Sequence, residues 1–229
     1  MLKYLLIPLC CYTLAVPQLH AQTTKTPSKK ELRKAKRLEE AKKKPDYDPG
    51  ILGHAYFGSE EWLPGTIWYE GVALERTPLR YDLVRDEVTL PPVEPDAPAL
   101  KLRLISEKVD SFKILEHTFV RLNEQDGLPA GFYERLHDGK TKVFARREKY
   151  IFKETTYQRV AERFLTENRY YLYKNKQYHP VKNQKGVLKV LKDRKKALEN
   201  FIHKENLDFR NNFEQALLQV VAYYDSLRE

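Results

Sequence analysis

From about residue 53 to residue 181 the apolar side chains recur at every second position, and turn-forming residues interrupt them every eight to twelve residues. A chain patterned in this way can bury only one side of each segment, so it must pair segment against segment as antiparallel sheet. Residues 100–104 show the alternation plainly, with Leu100, Leu102 and Leu104 on one face and Lys101 and Arg103 on the other. Hairpins are predicted where two such runs flank a turn. Residues 65–69 and 72–75 flank Glu70-Gly71, 79–83 and 87–90 flank Val84-Arg85-Asp86, and 169–173 and 177–181 flank Lys174-Asn175-Lys176. The sharpest local signal is Asp138-Gly139 between 132–137 and 140–146, a dipeptide that favours positive φ at both positions of a two-residue turn. Further strands are expected at 112–115 and 118–122. Pro180 marks its strand as an edge, and the repeated prolines of 91–98 predict a stiff link. Residues 154–165 combine helical spacing with strand neighbours and read either way.

After residue 185 the period lengthens. Val187, Leu188, Val190, Leu191, Leu198, Phe201 and Ile202 form an apolar stripe, with Lys189, Lys192, Arg194, Lys195 and Lys196 mostly on the other side. Asn206 suits the left-handed residue that closes a helix. A second helix is predicted from Asn211 or Asn212, where Glu214 or Gln215 stands as the capping-box partner, and Phe213, Leu217, Val220, Val221, Tyr224 and Leu227 give it one apolar face. The fold class is therefore α+β: an antiparallel sheet of about eight to ten strands, open, curved or partly closed, with a C-terminal helical hairpin. Residues 51–229 form one domain, strands over 51–181 and the hairpin over 186–228.

The N-terminus reads as an address. Lys3, an apolar run over 4–16 and Leu19-His20-Ala21 make a secretory signal with cleavage before Gln22, and the run is too short to span a bilayer, which takes about 20 apolar residues. The expected location is periplasmic or extracellular. Both cysteines, Cys10 and Cys11, fall inside that signal, too early for lipid attachment. The mature chain then holds its fold without disulfides and offers neither a thiol nucleophile nor a cysteine metal ligand. Residues 22–50 read as a basic arm, partly helical or disordered, because Leu32 and Leu38 bury too little surface to hold a helix.

The net charge of +9 is concentrated in two places. Residues 22–46 carry ten Lys or Arg against four Asp or Glu, and residues 182–210 carry nine against four. Such surfaces attract anions, and outside the cytoplasm the available polyanions are lipid headgroups, lipopolysaccharide and acidic polysaccharide rather than nucleic acid.

Chemical motifs are sparse. The chain holds no G-x-S-x-G elbow, P-loop, G-x-G-x-x-G or H-E-x-x-H spacing, so no cofactor is expected. His54, His117, His137, His179 and His203 are scattered singly, and no metal site is expected from them. Glu60-Glu61-Trp62 with Trp68 has the ingredients of a sugar subsite, and acidic loop residues flanking aromatic core have the same composition. Arg80-Tyr81-Asp82 and Arg85-Asp86-Glu87 are placed to pair across their own hairpin. Tyr170, Tyr171, Tyr173 and Tyr178 can line a face for a glycan or an apolar ligand, and tyrosine is also a favoured strand residue.

The order Tyr56-Phe57-Gly58-Ser59, Leu63-Pro64-Gly65-Thr66-Ile67, Pro78-Leu79-Arg80-Tyr81-Asp82-Leu83, Asp86-Glu87-Val88, a Tyr-rich hairpin, a Lys-rich helix, Asn206-Leu207-Asp208-Phe209 and Tyr223-Tyr224 resembles an uncharacterised family of exported bacterial proteins over nearly all of the mature chain. The resemblance implies a Gram-negative envelope setting. The expected function is that of a non-catalytic envelope protein binding or organising an anionic component, through Lys189, Lys192, Lys195 and Lys196 with Tyr171 and Tyr173. The competing expectation is a glycan hydrolase using carboxylates such as Glu60, Glu61 or Glu87, which requires two carboxyl groups facing each other about 5–10 Å apart.

Overall fold

The computed structural model describes residues 47–92, 101–124, 128–155 and 160–227. The signal, both cysteines, the basic arm up to residue 46 and the proline link over 93–98 lie outside the described residues. Ten strands follow one another: β1 (Leu63–Tyr69), β2 (Val72–Asp82), β3 (Glu87–Leu90), β4 (Leu102–Arg103), β5 (Val109–Ile114), β6 (His117–Leu122), β7 (Gly131–Asp138), β8 (Lys142–Thr155), β9 (Val160–Lys174) and β10 (Gln177–Val181). Three helices close the chain: α1 (Gln184–Val190), α2 (Lys195–Lys204) and α3 (Phe213–Ser226), with 3-10 turns at Ser106–Lys108 and Lys192–Arg194.

The strands form an open antiparallel sheet in the order β10-β9-β8-β7-β6-β5-β1-β2-β3-β4. It consists of two meanders, β1 to β4 and β5 to β10, joined where β1 pairs with β5 and Ile67 stands opposite Phe112. The sheet curls, bringing the end of β2 against β8, where the Lys149 N–H donates to the Leu83 carbonyl at 3.1 Å. The chain before β1 laces the same two places together: Leu83 N–H donates to Ala55, Phe57 N–H to Tyr81, and Leu52 exchanges bonds with Glu162 and Phe164. Tyr47, assigned to the arm on sequence grounds, is anchored by its hydroxyl on the Asp82 carboxylate at 2.7 Å.

Three apolar clusters follow from the alternation. Phe132 faces the cluster of Ile67, Leu79, Tyr81, Phe112 and Phe119, whereas its neighbour Tyr133 faces Leu128, Phe144 and Tyr171 on the opposite side. Ring pairs such as Tyr81–Phe112 and Phe112–Phe132, both at 5.0 Å, each add about 0.5–1.5 kcal/mol beyond burial. Val143, Leu172 and Val181 meet the helices, with Leu198, Leu217, Val220, Val221 and Tyr224 fully buried against them.

Local chemistry explains the turns, with one correction. Glu70 and Gly71 both have positive φ, 50° and 77°, and so do Asn175 and Lys176, 52° and 62°, as two-residue hairpin turns require. The Asp138-Gly139 hairpin is present but is of another kind. Asp138 pairs with Lys142 across a three-residue loop, and neither Asp138 nor Gly139 has positive φ. Its glycine answers a close approach instead, because a Cβ at Gly139 would lie 2.2 Å from Asp225 Oδ2.

Two elements are settled or corrected by the structure. Residues 154–155 and 160–165 are strand: β8 and β9 pair without a break from Lys142↔Tyr173 to Thr155↔Val160, and residues 156–159 lie outside the described residues. Both faces of that hairpin end are largely exposed, so no burial alternation marks it in the sequence. The first C-terminal helix is broken into α1 and α2 by the 3-10 turn that carries Asp193. Asn206 does close α2, at φ 50°. The capping box at α3 does not form; Asn212 makes no side-chain cap, and Glu214 turns to Arg147 at 2.7 Å.

Candidate functional site

Helix α1 begins because the Asn183 side chain accepts a hydrogen bond from Gly186 N–H at 2.9 Å, and it is held by Val187, Leu188 and Leu191, all buried. Those anchors fix what faces outward. Lys185 and Lys189 stand one turn apart on α1, Lys182 lies just before its cap and Lys192 in the 3-10 turn after it, and all four lysines of this row are exposed. Lys189 and Lys192 line two contiguous grooves of about 770 Å³ each. One groove runs between α1 and the β9–β10 hairpin, past Asn175, Gln177, His179 and Lys182. The other lies on the far side of the row, past Lys185, Leu188, Lys195 and Glu199.

The groove floor is pinned by a buried cation. Lys174 is 8 % exposed; its Nζ donates to Asp193 Oδ1 at 2.6 Å and to the Val190 carbonyl at 3.2 Å, and it lies over the Tyr224 ring. The Tyr224 hydroxyl donates to Asp193 Oδ2 at 2.7 Å. Partial burial opposes ionisation of Asp193, but the hydrogen bonds from Lys174 and Tyr224 outweigh it and hold the carboxyl down to about 2. Burial likewise works against the Lys174 charge, and Asp193 and Tyr224 more than restore it.

Lys174 is thus neutralised and the row is not. Among the described residues no ion pair involves Lys182, Lys185, Lys189, Lys192 or Lys196, whereas Lys195 meets Glu199 at 3.6 Å. Of the predicted site residues the fold brings together Lys189, Lys192 and Lys195; Lys196 is exposed but lines neither groove. Tyr171 is 6 % exposed and packs on Tyr133 on the opposite sheet face, reaching a third groove of about 650 Å³ that shares Lys182 with the first. Tyr173 packs on Tyr178 at 4.6 Å and lines none of the three. Lys182 and Lys185 were not singled out in the sequence because the helix was expected to begin after them; Asn183, a strong N-cap residue, is the signal that finds them.

The acidic candidates are placed elsewhere. Glu60 and Glu61 are exposed, and the Trp62 ring beside them is covered by the Arg80 guanidinium at 4.1 Å. Neither these carboxylates nor Glu87 line the three grooves. Within their own hairpin the Tyr81 hydroxyl donates to Asp86 at 2.6 Å and the backbone N–H groups of Val84 and Arg85 donate to Asp82, while Arg146 reaches Asp86 at 3.2 Å and Tyr47 reaches Asp82 from outside it.

Sequence reasoning missed a second polar cluster. Glu134, 3 % exposed, accepts from Arg147 at 2.6 Å and faces His117 Nδ1, and Arg147 continues to Glu214 at the start of α3. Burial opposes the Glu214 charge, but the Arg147 bond lowers its pKa. Only the pairing of β7 with β8 and the docking of α3 bring these residues together. Comparison of the chain with protein families, curated proteins and solved structures finds no match.

Proposed function

We propose that this is an exported, non-catalytic envelope protein that binds an anionic component through the lysine row of α1. The observation that carries the reading is the row itself: Lys185 and Lys189 exposed on α1, flanked by the exposed Lys182 before its cap and Lys192 in the turn after it, beside two grooves and without acidic partners among the described residues. Charges left uncompensated on a concave surface focus an attractive field for anions. The expected signal peptide and the resemblance to exported proteins support the setting. Among the described residues no helix is long and apolar enough to cross a membrane.

The test is co-sedimentation of the mature protein with anionic envelope material: lipopolysaccharide, phosphatidylglycerol vesicles and an acidic polysaccharide. At least one should retain the protein at low salt and release it as salt rises, since exposed charges are screened over about 8–10 Å at physiological ionic strength. Replacing Lys185, Lys189 and Lys192 with glutamine should abolish retention and leave the circular dichroism spectrum unchanged. Retention by none of the three, or retention indifferent to the substitutions, would remove the reading.

A further inference from the structure

We infer that the ligand of the lysine row is an extended acidic polysaccharide seated in the groove between β10 and α1, rather than a membrane surface or a peptide strand; the inference rests on the row being an anion-binding surface. Three features of the groove select among the anions.

The first is spacing. Lys182, Lys189 and Lys192 line this groove, and at a rise of about 1.5 Å per residue Lys189 and Lys192 stand about 5 Å apart along the chain direction. That is close to the length of one sugar in an extended chain, so successive uronate carboxylates meet successive ammonium groups. Lys182 continues the line past the Asn183 cap.

The second is the lining. Asn175, Gln177, His179 and Asn183 share the groove with the lysines, and amides and imidazole suit sugar hydroxyls. A lipid surface asks for something different. Firm interfacial docking takes buried apolar area in addition to charge, and none of the large exposed apolar side chains among the described residues lies on β10, α1 or α2. A concave wall also presents few of its lysines to a flat bilayer.

The third is the strand edge. The groove runs along the outer side of β10, where an added strand would pair. Because Asn175 and Lys176 make a two-residue turn, Gln177, His179 and Val181 direct their backbone bonds to β9, while Tyr178 and Pro180 direct theirs outward. Pro180 has no N–H to give, so the edge is blunted against an eleventh strand. A polymer that uses charge and hydroxyl contacts loses nothing by this.

The experiment measures binding of the mature protein to labelled oligogalacturonate, with dextran as the neutral control and phosphatidylglycerol vesicles as the lipid arm. Oligogalacturonate should bind with an affinity that falls as salt rises, dextran and the vesicles should not bind at the same salt, and galacturonate monomer should fail to compete. Lys189→Gln with Lys192→Gln should weaken binding about tenfold, the sum expected of two exposed charge contacts. Gln177→Ala should weaken it less, without changing its salt dependence. Lysine-dependent binding to vesicles with none to oligogalacturonate would overturn the polysaccharide inference and leave the anion-binding reading in place. Oligogalacturonate binding unaffected by the lysine substitutions would overturn the groove assignment. Binding to neither would remove both.

Discussion

At Gly131 a single hydrogen atom decides whether two parts of the sheet can meet. The residue sits at φ 148°, and a Cβ there would lie 1.8 Å from an Arg146 terminal nitrogen and 2.3 Å from Asp86 Oδ2. That opening lets Arg146 cross from β8 to Asp86 on the β2–β3 turn, while donating to the Ala130 carbonyl at 3.1 Å. Gly131→Ala should therefore cost about 2–4 kcal/mol, combining backbone strain with a broken buried ion pair, and a urea titration would read it; a variant as stable as the parent would show that the crossing contributes little. Asp193 gives a prediction in pH. Its folded pKa of about 2 lies below the ordinary carboxyl value, so its contribution is complete above about pH 4 and is lost as pH falls through about 2. Asp193→Asn should remove that acid-dependent part while changing stability near neutral pH by at most about 1 kcal/mol, because the side chain is half exposed. Acid titrations of the two proteins that overlay would show the Lys174–Asp193 pair to be idle.

Among the elements, the helices differ in how firmly each residue is held. Leu217 is fully buried between α3 and the sheet, whereas Phe201 is only partly buried and stacks on Tyr223 at 4.1 Å. Leu217→Ala should lower stability by about 2–4 kcal/mol through the cavity it leaves. Phe201→Ala should cost less, since its site is open to water and collapses easily. Thermal or urea melting in which Phe201→Ala is the more damaging change would mean that the α2–α3 contact, and not the contact with the sheet, anchors the helices. The break between α1 and α2 belongs to this scale too: Asp193 takes Lys174 and Tyr224 as partners, and the short turn that places it ends one helix and starts the next.

For the molecule as a whole, the seam between β1 and β5 raises the question of whether the two meanders unfold together. They share one core, in which Ile67, Leu79 and Tyr81 of the first pack with Phe112, Phe119 and Phe132 of the second, so neither can keep its apolar face covered alone. Both tryptophans, Trp62 and Trp68, lie in the first half, and among the described residues every helix longer than a single turn lies at the end of the second. Tryptophan fluorescence and far-UV circular dichroism therefore report opposite ends of the chain. Their urea transitions should coincide, as for a cooperative domain; two separate midpoints would mean that the seam is only an adhesive contact between independent units.

The period-two pattern, the Glu70-Gly71 turn, the edge proline at position 180 and the helix-closing Asn206 were legible in the sequence because each depends on residues within a few positions of one another. The same holds for Lys189, Lys192 and Lys195, which helical spacing alone assigns to a polar face. Everything that joins distant parts was decided by the tertiary structure. Gly139 reads as a turn former until Asp225 arrives from the last helix to occupy the space beside it. Glu214 reads as a capping residue until Arg147 offers it a stronger, half-buried partner. The tyrosines read as a binding face until Tyr171 is packed beneath Tyr133. Nor can spacing reveal that the lysine row borders a groove, since its opposite wall is β10 and its floor is Lys174. Local preference selects elements from short-range sterics and burial, whereas pairing order, ion-pair choice and concavity depend on which distant surfaces exclude water together.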